Sequence, residues 1–299
     1  MSSDPSPLTP GLYLVATPIG NLGDITFRAI DVLRGVDRIA CEDTRQTQKL
    51  LNHYGITTPT ISCHEHNERE RAVEFIAAIK DGKSVAVVSD AGMPGISDPG
   101  ALLAKEAIAA GVRVIPIPGA NAALSALIAS GLPTSEFHFL GFLPEKAGAR
   151  RTRLEELAAT PLESAQTLIF YEAPHRIADT LADIEGIWGA EFRVAVAREL
   201  TKLHEEFLRG AVADIRKELA SRDRIRGEFV LLIEMGGPGL EKTRDGVSPH
   251  RESISDRIAR LQSETGIDEK EALKRLAREL GQSKSELYRE LQRERARRR

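Results

Sequence analysis

The sequence predicts an α/β protein with two α/β domains and a small C-terminal helical domain. Short valine-rich strand patterns alternate with helical patterns over the first 235 residues, which is typical of mostly parallel sheets covered by helices. Several strands end in loops of glycine, proline and small residues, where open α/β sheets bind ligands. Residues 236–252 are rich in glycine and charge and separate this part from a region of helical spacing.

These composition changes predict the domain organisation. We expect the following parts: a disordered leader 1–10, an N-terminal α/β domain 11–125, a second α/β domain 126–235, a linker 236–252 and a basic helical domain 253–299. The two α/β domains are expected to hinge near 117–135, with a ligand between them.

In the N-terminal domain, strand and helix patterns follow one another in strict order. We predict strands near 12–17, 36–41, 58–63, 84–89 and 112–116, and helices near 25–34, 44–54, 67–80 and 99–110. Asp98 and Pro99 are expected to cap the last of these helices and begin it. Segment 119–130 is apolar nearly all round, which predicts a fully buried helix.

The second domain begins after Gly131-Leu132-Pro133, which breaks the chain. We predict strands near 137–142, 166–172, 192–197, 205–210 and 227–234. The second of these also ends in a loop, 172–176.

Three strand ends in the N-terminal domain carry loops of small residues, at 16–24, 89–100 and 116–123. Small residues let a ligand approach main-chain N–H and C=O groups, which can bind an adenine edge or a carboxylate. No G-x-G-x-x-G opens a helix and no P-loop occurs, so neither a Rossmann dinucleotide site nor a P-loop site is indicated. The loops predict a small-molecule pocket, although each alone would also suit a tight turn.

Composition and charge exclude several classes of protein. The net charge of −3 over 299 residues argues against a chain that binds nucleic acid over its whole surface. Cys41 and Cys63 are too few for a disulfide framework, so a reducing cytoplasm fits best. No apolar run has the length of a transmembrane helix, and we expect no membrane partner.

The C-terminal region is basic. Residues 251–299 carry 14 Lys/Arg against 10 Asp/Glu, which leaves the first 250 residues at −7. Gly281 is expected to end one helix, and Ser283 with Glu286 to form a capping box for the next, which gives a helix-turn-helix connection. Either nucleic-acid binding or a solvated helical cap would explain this pattern.

Six motifs together resemble one family. They are T-P-I-G-N-L-G-D at 17–24, C-E-D-T-R at 41–45, H-E-H-N-E at 64–68, S-D-A-G-M-P-G-I-S-D-P-G at 89–100, P-G-A-N-A at 118–122 and F-Y-E-A-P-H-R at 170–176. In this order they resemble the ribosomal RNA small subunit methyltransferase I family, from about residue 11 to the C-terminus. The resemblance implies the tetrapyrrole-methylase (class III methyltransferase) fold, S-adenosylmethionine as methyl donor, a homodimer, and 2′-O-methylation of a cytidine in 16S ribosomal RNA of the small subunit.

Motif positions in that family imply the residues around S-adenosylmethionine. They are Pro18, Asp90, Gly92, Ile96, Asn121, Ala122, Tyr171, Glu172 and Leu200. The acidic members would accept hydrogen bonds from ribose hydroxyls or the amino group. For Asp90 alone, the alternative is a helix-loop cap.

Residues for the acceptor side follow two strand ends. A neutral ribose 2′-hydroxyl is a poor nucleophile, so a base would help. Glu65 is the candidate base, and Arg45 the candidate phosphate ligand; alternatively, Asp43 or Thr44 in the same stretch only caps the following helix. The run Cys63-His64-Glu65-His66 lacks the spacing of a zinc site, and we predict no metal.

Basic residues near the second-domain loops are candidates for RNA contact. They are Lys146, Arg150, Arg151, Arg153, Arg176 and Lys202. The cluster at 146–153 would equally suit a solvated helix face.

Two other functions remain open at this point: a tetrapyrrole-type small-molecule methylase of the same fold, and a non-enzymatic RNA-binding assembly factor. The basic C-terminal region and the cluster at 146–153 argue against a small-molecule methylase. The presence of all the motif loops argues against a non-enzymatic assembly factor.

Overall fold

The computed structural model describes residues 8–160 and 164–236, together with 258, 261–262, 267–279, 287–288 and 291. The chain divides into two compact units, Met1–Gly236 and Gly237–Arg299. The first unit contains both sheets.

The first sheet has five parallel strands in the order β3-β2-β4-β1-β5. Its strands are β1 (Gly11–Val15), β2 (Arg38–Cys41), β3 (Thr60–Ser62), β4 (Ser84–Val88) and β5 (Val114–Ile117). Its helices are α1 (Phe27–Gly35), α2 (Thr44–His53), α3 (Glu68–Lys80) and α4 (Ala101–Ala109), and a 3₁₀ turn covers Leu22–Asp24. Each predicted strand and helix of this domain is confirmed, with bounds that differ by a few residues.

Side chains that alternate along β1 explain how the helices cover this sheet. Tyr13 and Val15 pack with α1 and the end of α2 on one face, and Leu12 packs with α3 and α4 on the other. Because successive strand residues point to opposite faces, a parallel strand covered on both sides needs a continuous apolar run. Strand β4, which is buried throughout, is such a run.

The second sheet has the order β6-β7-β10-β8-β9. Its strands are β6 (Phe137–Phe142), β7 (Gln166–Glu172), β8 (Arg193–Arg198), β9 (Glu206–Ala211) and β10 (Phe229–Met235). Its helices are α5 (Ala122–Ser130), α6 (Ala147–Ala159), α7 (Ile177–Trp188) and α8 (Val212–Ala220). The five strands are confirmed.

The expectation of a mostly parallel sheet is wrong for this second sheet. Only β6 and β7 pair in parallel, whereas β10 pairs antiparallel with both β7 and β8, and β8 with β9. The short connection between β8 and β9 makes them an antiparallel pair, because parallel neighbours need a long crossover. Strand β10 then enters between β7 and β8, a choice that local sequence patterns do not reveal.

Helix α5 is the second correction. Its Ala126 and Leu127 are buried against Ile169 and neighbouring residues of the second sheet. Ile128, however, is 80% exposed, so the helix is not fully buried. Although α5 is apolar nearly all round, it packs against the protein on one face only.

The second unit is described in part. Helix α9 (Glu269–Glu279) contributes Ala272, Leu273 and Leu276 to a buried cluster with Ile258 and other apolar residues of this unit. The predicted helix-turn-helix signals at Gly281, Ser283 and Glu286 lie outside the described residues. No helix among the described residues is long and apolar enough to cross a membrane.

Candidate active site

A cavity of about 360 Å³ is lined by strand ends of both sheets. This volume lies in the range of roughly 300–1,000 Å³ that is usual for small-molecule sites. Ile19 follows β1, Gly92 and Asp98 follow β4, and Tyr171 lies near the end of β7. The cavity therefore lies where the carboxyl ends of the first sheet meet the second sheet, as a ligand site of an open sheet would.

The loop after β4 is tied to the loop after β1 by main-chain hydrogen bonds. The Thr17 N–H donates to the Gly92 carbonyl at 2.8 Å, and the Gly92 N–H donates to the Thr17 carbonyl at 3.1 Å. The Thr17 hydroxyl also donates to the Ser89 carbonyl, and the Ser89 hydroxyl donates to the Gly92 carbonyl. Gly92 has φ +82°, a conformation that favours glycine. These two loops form one wall of the cavity.

A distant carboxylate fixes the other end of the same loop. Glu68, the first residue of α3, is buried, and its Oε1 accepts hydrogen bonds from the N–H groups of Gly100 at 2.8 Å and Leu103 at 3.1 Å. Helix α4 begins at Ala101 with Gly100 as its N-cap, so the predicted cap at Asp98 and Pro99 is wrong. The acceptor for the first N–H groups of α4 is therefore the Glu68 carboxylate of α3, not a residue that precedes the helix in the chain.

Removing this carboxylate tests its role in holding the loop. Glu68→Ala should lower the free energy of unfolding by about 1–3 kcal/mol, because two buried N–H groups lose their acceptor. Glu68→Gln, which keeps an acceptor oxygen, should lose less. Urea unfolding measures both, with Glu70→Ala on the exposed side of the same helix as the matched control. Equal effects of Glu68→Ala and Glu70→Ala would contradict this role.

Glu172 forms a buried network at the end of β7. Its Oε1 lies 3.0 Å from Arg176 Nε and accepts a hydrogen bond from the Ala173 N–H at 2.9 Å, and its Oε2 accepts from the Thr180 hydroxyl at 2.7 Å. Arg176 also donates to the Leu143 carbonyl at 2.6 Å. The F-Y-E-A-P-H-R motif thus holds its own loop together and supplies a cavity wall.

Acidic side chains gather at the opposite wall. Burial raises the pKa of the Asp98 carboxyl to about 6, and the negative charges of Glu42 and Asp90 add to the rise. Burial, and then the charge of Asp90, also raises the pKa of Glu42. On the facing strand, burial raises the pKa of Tyr171, with a smaller contribution from Asp98. This end of the cavity has a negative potential.

Backbone strain in the described residues lies beside the cavity. Three residues other than glycine have positive φ: Ser97 at 61°, Glu199 at 51° and Thr201 at 66°. Ser97 precedes Asp98, whereas Glu199 and Thr201 flank Leu200. Asp98 and Leu200 both line the cavity. Such conformations cost on the order of 1 kcal/mol or more and concentrate at functional sites.

The structure brings most of the predicted cofactor residues together. Seven line the cavity: Gly92, Ile96, Asn121, Ala122, Tyr171, Glu172 and Leu200. Pro18 and Asp90 do not line it but lie next along the chain to residues that do. Asn121 Oδ1 caps α5 by accepting from the Leu124 N–H, and Asp90 Oδ1 accepts from the Asp43 N–H.

Sequence reasoning missed Asp98 as a site residue. The loop composition points to the cavity, but the pair Asp98-Pro99 predicts a helix cap, because that dipeptide is a common start of a helix. Phe142 and Phe229 were also missed, since their places at the cavity follow from the topology of the second sheet.

Glu65 and Arg45 lie outside the cavity lining. Arg45 is 87% exposed and pairs with Asp43 at 2.9 Å, which lowers the pKa of Asp43 to about 2. Asp43 also accepts from the Arg45 N–H as the N-cap of α2, the alternative that was open from the sequence. Glu65 is exposed. No cluster of metal-ligand side chains occurs among the described residues.

The basic candidates for RNA contact are in different environments. Lys146 is exposed, Arg153 pairs with Glu156, and Arg151 pairs with Asp183 from an exposed position. Lys202 pairs with Glu199 and Glu228 beside the cavity. Arg150 and Arg176 are held inside by Asp183 and Glu172, which leaves neither guanidinium presented to a large ligand.

The sequence matches the model of the Tetrapyrrole (Corrin/Porphyrin) Methylases over residues 11–216. A protein named ribosomal RNA small subunit methyltransferase I from Halalkalibacterium halodurans is 49% identical over 93% of each chain. The protein of that name from Bacillus subtilis is 46% identical over 93% of this chain and 92% of its own. The chain belongs to the ribosomal RNA small subunit methyltransferase I family.

Solved structures agree on the fold of this family. A cobalt precorrin-4 methyltransferase has a TM-score of 0.52 at 16% identity, covering 74% of this chain and 93% of its own. A diphthine synthase has a TM-score of 0.55 at 14% identity, covering 74% and 88%. The predicted tetrapyrrole-methylase fold is confirmed.

Proposed function

We propose that this chain transfers the methyl group of S-adenosylmethionine to a cytidine 2′-hydroxyl in 16S ribosomal RNA of the small subunit. The observation that carries the proposal is similarity of 46–49% identity over 93% of the chain to proteins named ribosomal RNA small subunit methyltransferase I. The cavity adds support, because several of the loops whose motifs resemble this family line it. The cytidine and the 2′-oxygen come from the family resemblance.

The residues of the cavity fit S-adenosylmethionine. Gly92 and Ala122 leave main-chain groups open to an adenine edge or a carboxylate, and Ile19, Leu200 and Val230 supply apolar surface for a ring. Asp98, with Glu42 and Asp90 near it, gives one end a negative potential that suits a sulfonium cation. When bound, this group supplies a methyl carbon that is activated by positive sulfur.

The protein contributes chiefly orientation and exclusion of water. Methyl transfer is an in-line displacement in which positive charge on sulfur and developing negative charge on oxygen cancel in part. Fixed walls that aim the nucleophile therefore account for much of the rate. The loop tied by Thr17, Gly92 and Glu68 is such a wall.

Methylation assays distinguish the candidate functions. The protein is incubated with methyl-labelled S-adenosylmethionine and unmodified small ribosomal subunits, naked 16S RNA, or a tetrapyrrole. We expect label in RNA, recovered as 2′-O-methylcytidine after nuclease digestion. Label in the tetrapyrrole alone would overturn the proposal in favour of a small-molecule methylase. RNA binding without label would indicate an assembly factor.

The proposed assembly is a homodimer. Three large apolar side chains of the first unit are almost fully exposed in the single chain: Phe27 at 88%, Ile128 at 80% and Leu203 at 92%. A second copy of the chain is the partner that the family resemblance implies, and an interface with it would be expected to cover some of these side chains. The molar mass in solution tests this part of the proposal.

The basic tail is proposed to bind RNA. Deleting residues 250–299 should leave the affinity for S-adenosylmethionine unchanged and weaken RNA binding. The logarithm of the RNA affinity should also fall less steeply with the logarithm of salt concentration, because fewer phosphates are neutralised. Filter binding at several salt concentrations measures this slope. An unchanged slope would mean that the tail is a helical cap.

A further inference from the structure

Three carboxylates line the cavity in the described part of the chain, and two of them are held by partners. Both oxygens of Glu172 are bonded to Arg176, Thr180 and the Ala173 N–H. Glu228 is 79% exposed and pairs with Lys202 at 2.9 Å. A carboxylate whose oxygens are already held by donors is not free to turn toward a hydroxyl of the substrate.

Asp98 differs from these two. Within the described residues its carboxylate accepts no hydrogen bond and forms no ion pair. Both ends of its immediate segment are held, since the Gly95 N–H donates to the Pro99 carbonyl at 3.0 Å and Glu68 binds the Gly100 N–H. Ser97 before it has a strained φ of 61°. The protein therefore holds this backbone in place while leaving the carboxylate unpaired.

We propose that Asp98 is the general base of the methyl transfer and accepts the proton of the attacking ribose hydroxyl. This inference rests on the function proposed above. The 2′-oxygen forms a bond to the methyl carbon while the carbon–sulfur bond breaks, and that electron pair leaves with sulfur as a neutral thioether. The hydroxyl proton passes to an Asp98 carboxylate oxygen and then to solvent.

The charges around Asp98 suit this role. Glu42 and Asp90 lie near it on the first sheet's loops, and Tyr171 faces it from β7. The remaining cavity carboxylates, described above, are paired with Arg176 and Lys202. Because burial and like charges raise the pKa of Asp98 to about 6, it is a stronger base than an ordinary aspartate and is still ionised at neutral pH.

Glu65, the base predicted from the sequence, is the rival hypothesis. It is exposed and does not line the cavity, whereas Asp98 does. A base must reach the proton that it removes, so geometry favours Asp98.

Single-turnover methylation of small subunits at saturating S-adenosylmethionine tests the proposal. Asp98→Asn should lower the rate by roughly 10²–10⁴-fold, with less than about tenfold loss of cofactor affinity, because Glu42 and Asp90 keep the negative potential. The wild-type rate should rise with pH through a midpoint near pH 6, and the variant should lose this rise. Asp98→Glu should recover part of the rate. Asp31→Asn, an exposed carboxylate on α1, is the control.

Three results would overturn the inference. One is an Asp98→Asn variant with the wild-type rate, in an assay in which the wild type methylates RNA. Another is a variant whose whole defect is weaker cofactor binding, with a normal rate at saturation. The third is loss of rate in Glu65→Gln with a normal rate in Asp98→Asn. A folded wild type that methylates no RNA would instead overturn the proposed function and this inference together. Thermal unfolding of Asp98→Asn, expected at or above the wild-type Tm at pH 7.5, checks that the variant folds.

Discussion

Arg150→Ala should lower the free energy of unfolding by about 3 kcal/mol, the lower end of the range for breaking a buried ion pair. Arg150 Nε lies 2.7 Å from Asp183 Oδ2, with the two side chains only 5% and 11% exposed. The substitution removes packing as well as charge and leaves a nearly buried carboxylate with one partner fewer. Arg151 still contacts Asp183, which keeps the loss from being larger.

Arg151→Ala is the matched control. Its Nε lies 2.9 Å from the other oxygen of the same carboxylate, but the arginine side chain is 59% exposed. A pair of this kind contributes roughly 0.2–1 kcal/mol. Urea unfolding measures both variants. Similar losses for the two arginines would show that burial of the Arg150 pair does not govern its contribution.

The same pair separates stability from RNA contact. Arg151 has an exposed guanidinium, so any loss of RNA affinity should appear in Arg151→Ala. Folded Arg150→Ala protein should bind RNA normally, because the wild-type guanidinium is inside.

Gly92→Val should weaken binding of S-adenosylmethionine by at least about 100-fold, or about 2.7 kcal/mol. The φ of +82° is a severe outlier for a β-branched residue. A Cβ here would lie 3.4 Å from Ile19 Cγ2 and 3.7 Å from the Ala120 carbonyl oxygen, so the two further methyl groups of valine have little room and reduce the cavity. Isothermal calorimetry measures the loss.

Gly82→Val is the control for backbone strain alone. Gly82 has φ +89°, and an added Cβ meets no atom within 4 Å. Both variants should lose comparable stability from strain, but only Gly92→Val should lose the cofactor. Unchanged affinity in a folded Gly92→Val protein would remove the loop after β4 from the proposed site.

Local sequence predicted the elements of this protein well, because each is encoded by neighbouring residues. The valine run of β4 and the continuous apolar run of β1 indicate strands, and the spacing of apolar residues in α3 indicates a helix. It failed where a residue far away in the chain overrides a plausible local signal. Asp98-Pro99 is a common helix start, yet Glu68 supplies the acceptor for α4 from another helix.

The site shows the same division. Loop composition and family motifs predicted a set of residues around a methyl donor, and seven of these residues line one cavity. They were not sufficient to rank the carboxylates, because the properties of a carboxylate depend on its partners. Glu172 is paired by Arg176, whereas Asp98 has no such partner among the described residues.

Sequence patterns alone were enough to predict the α/β class, the order of the elements, the methyltransferase family and the loops that line the cavity. The folded chain was needed to show that β10 lies between β7 and β8, that Arg150 and Arg176 are interior ion-pair residues, and that Asp98 lines the cavity. The physical reason is range. Helix and strand preferences act between residues a few positions apart, whereas strand pairing, burial and the electrostatic surroundings of a carboxylate depend on residues far apart in the chain.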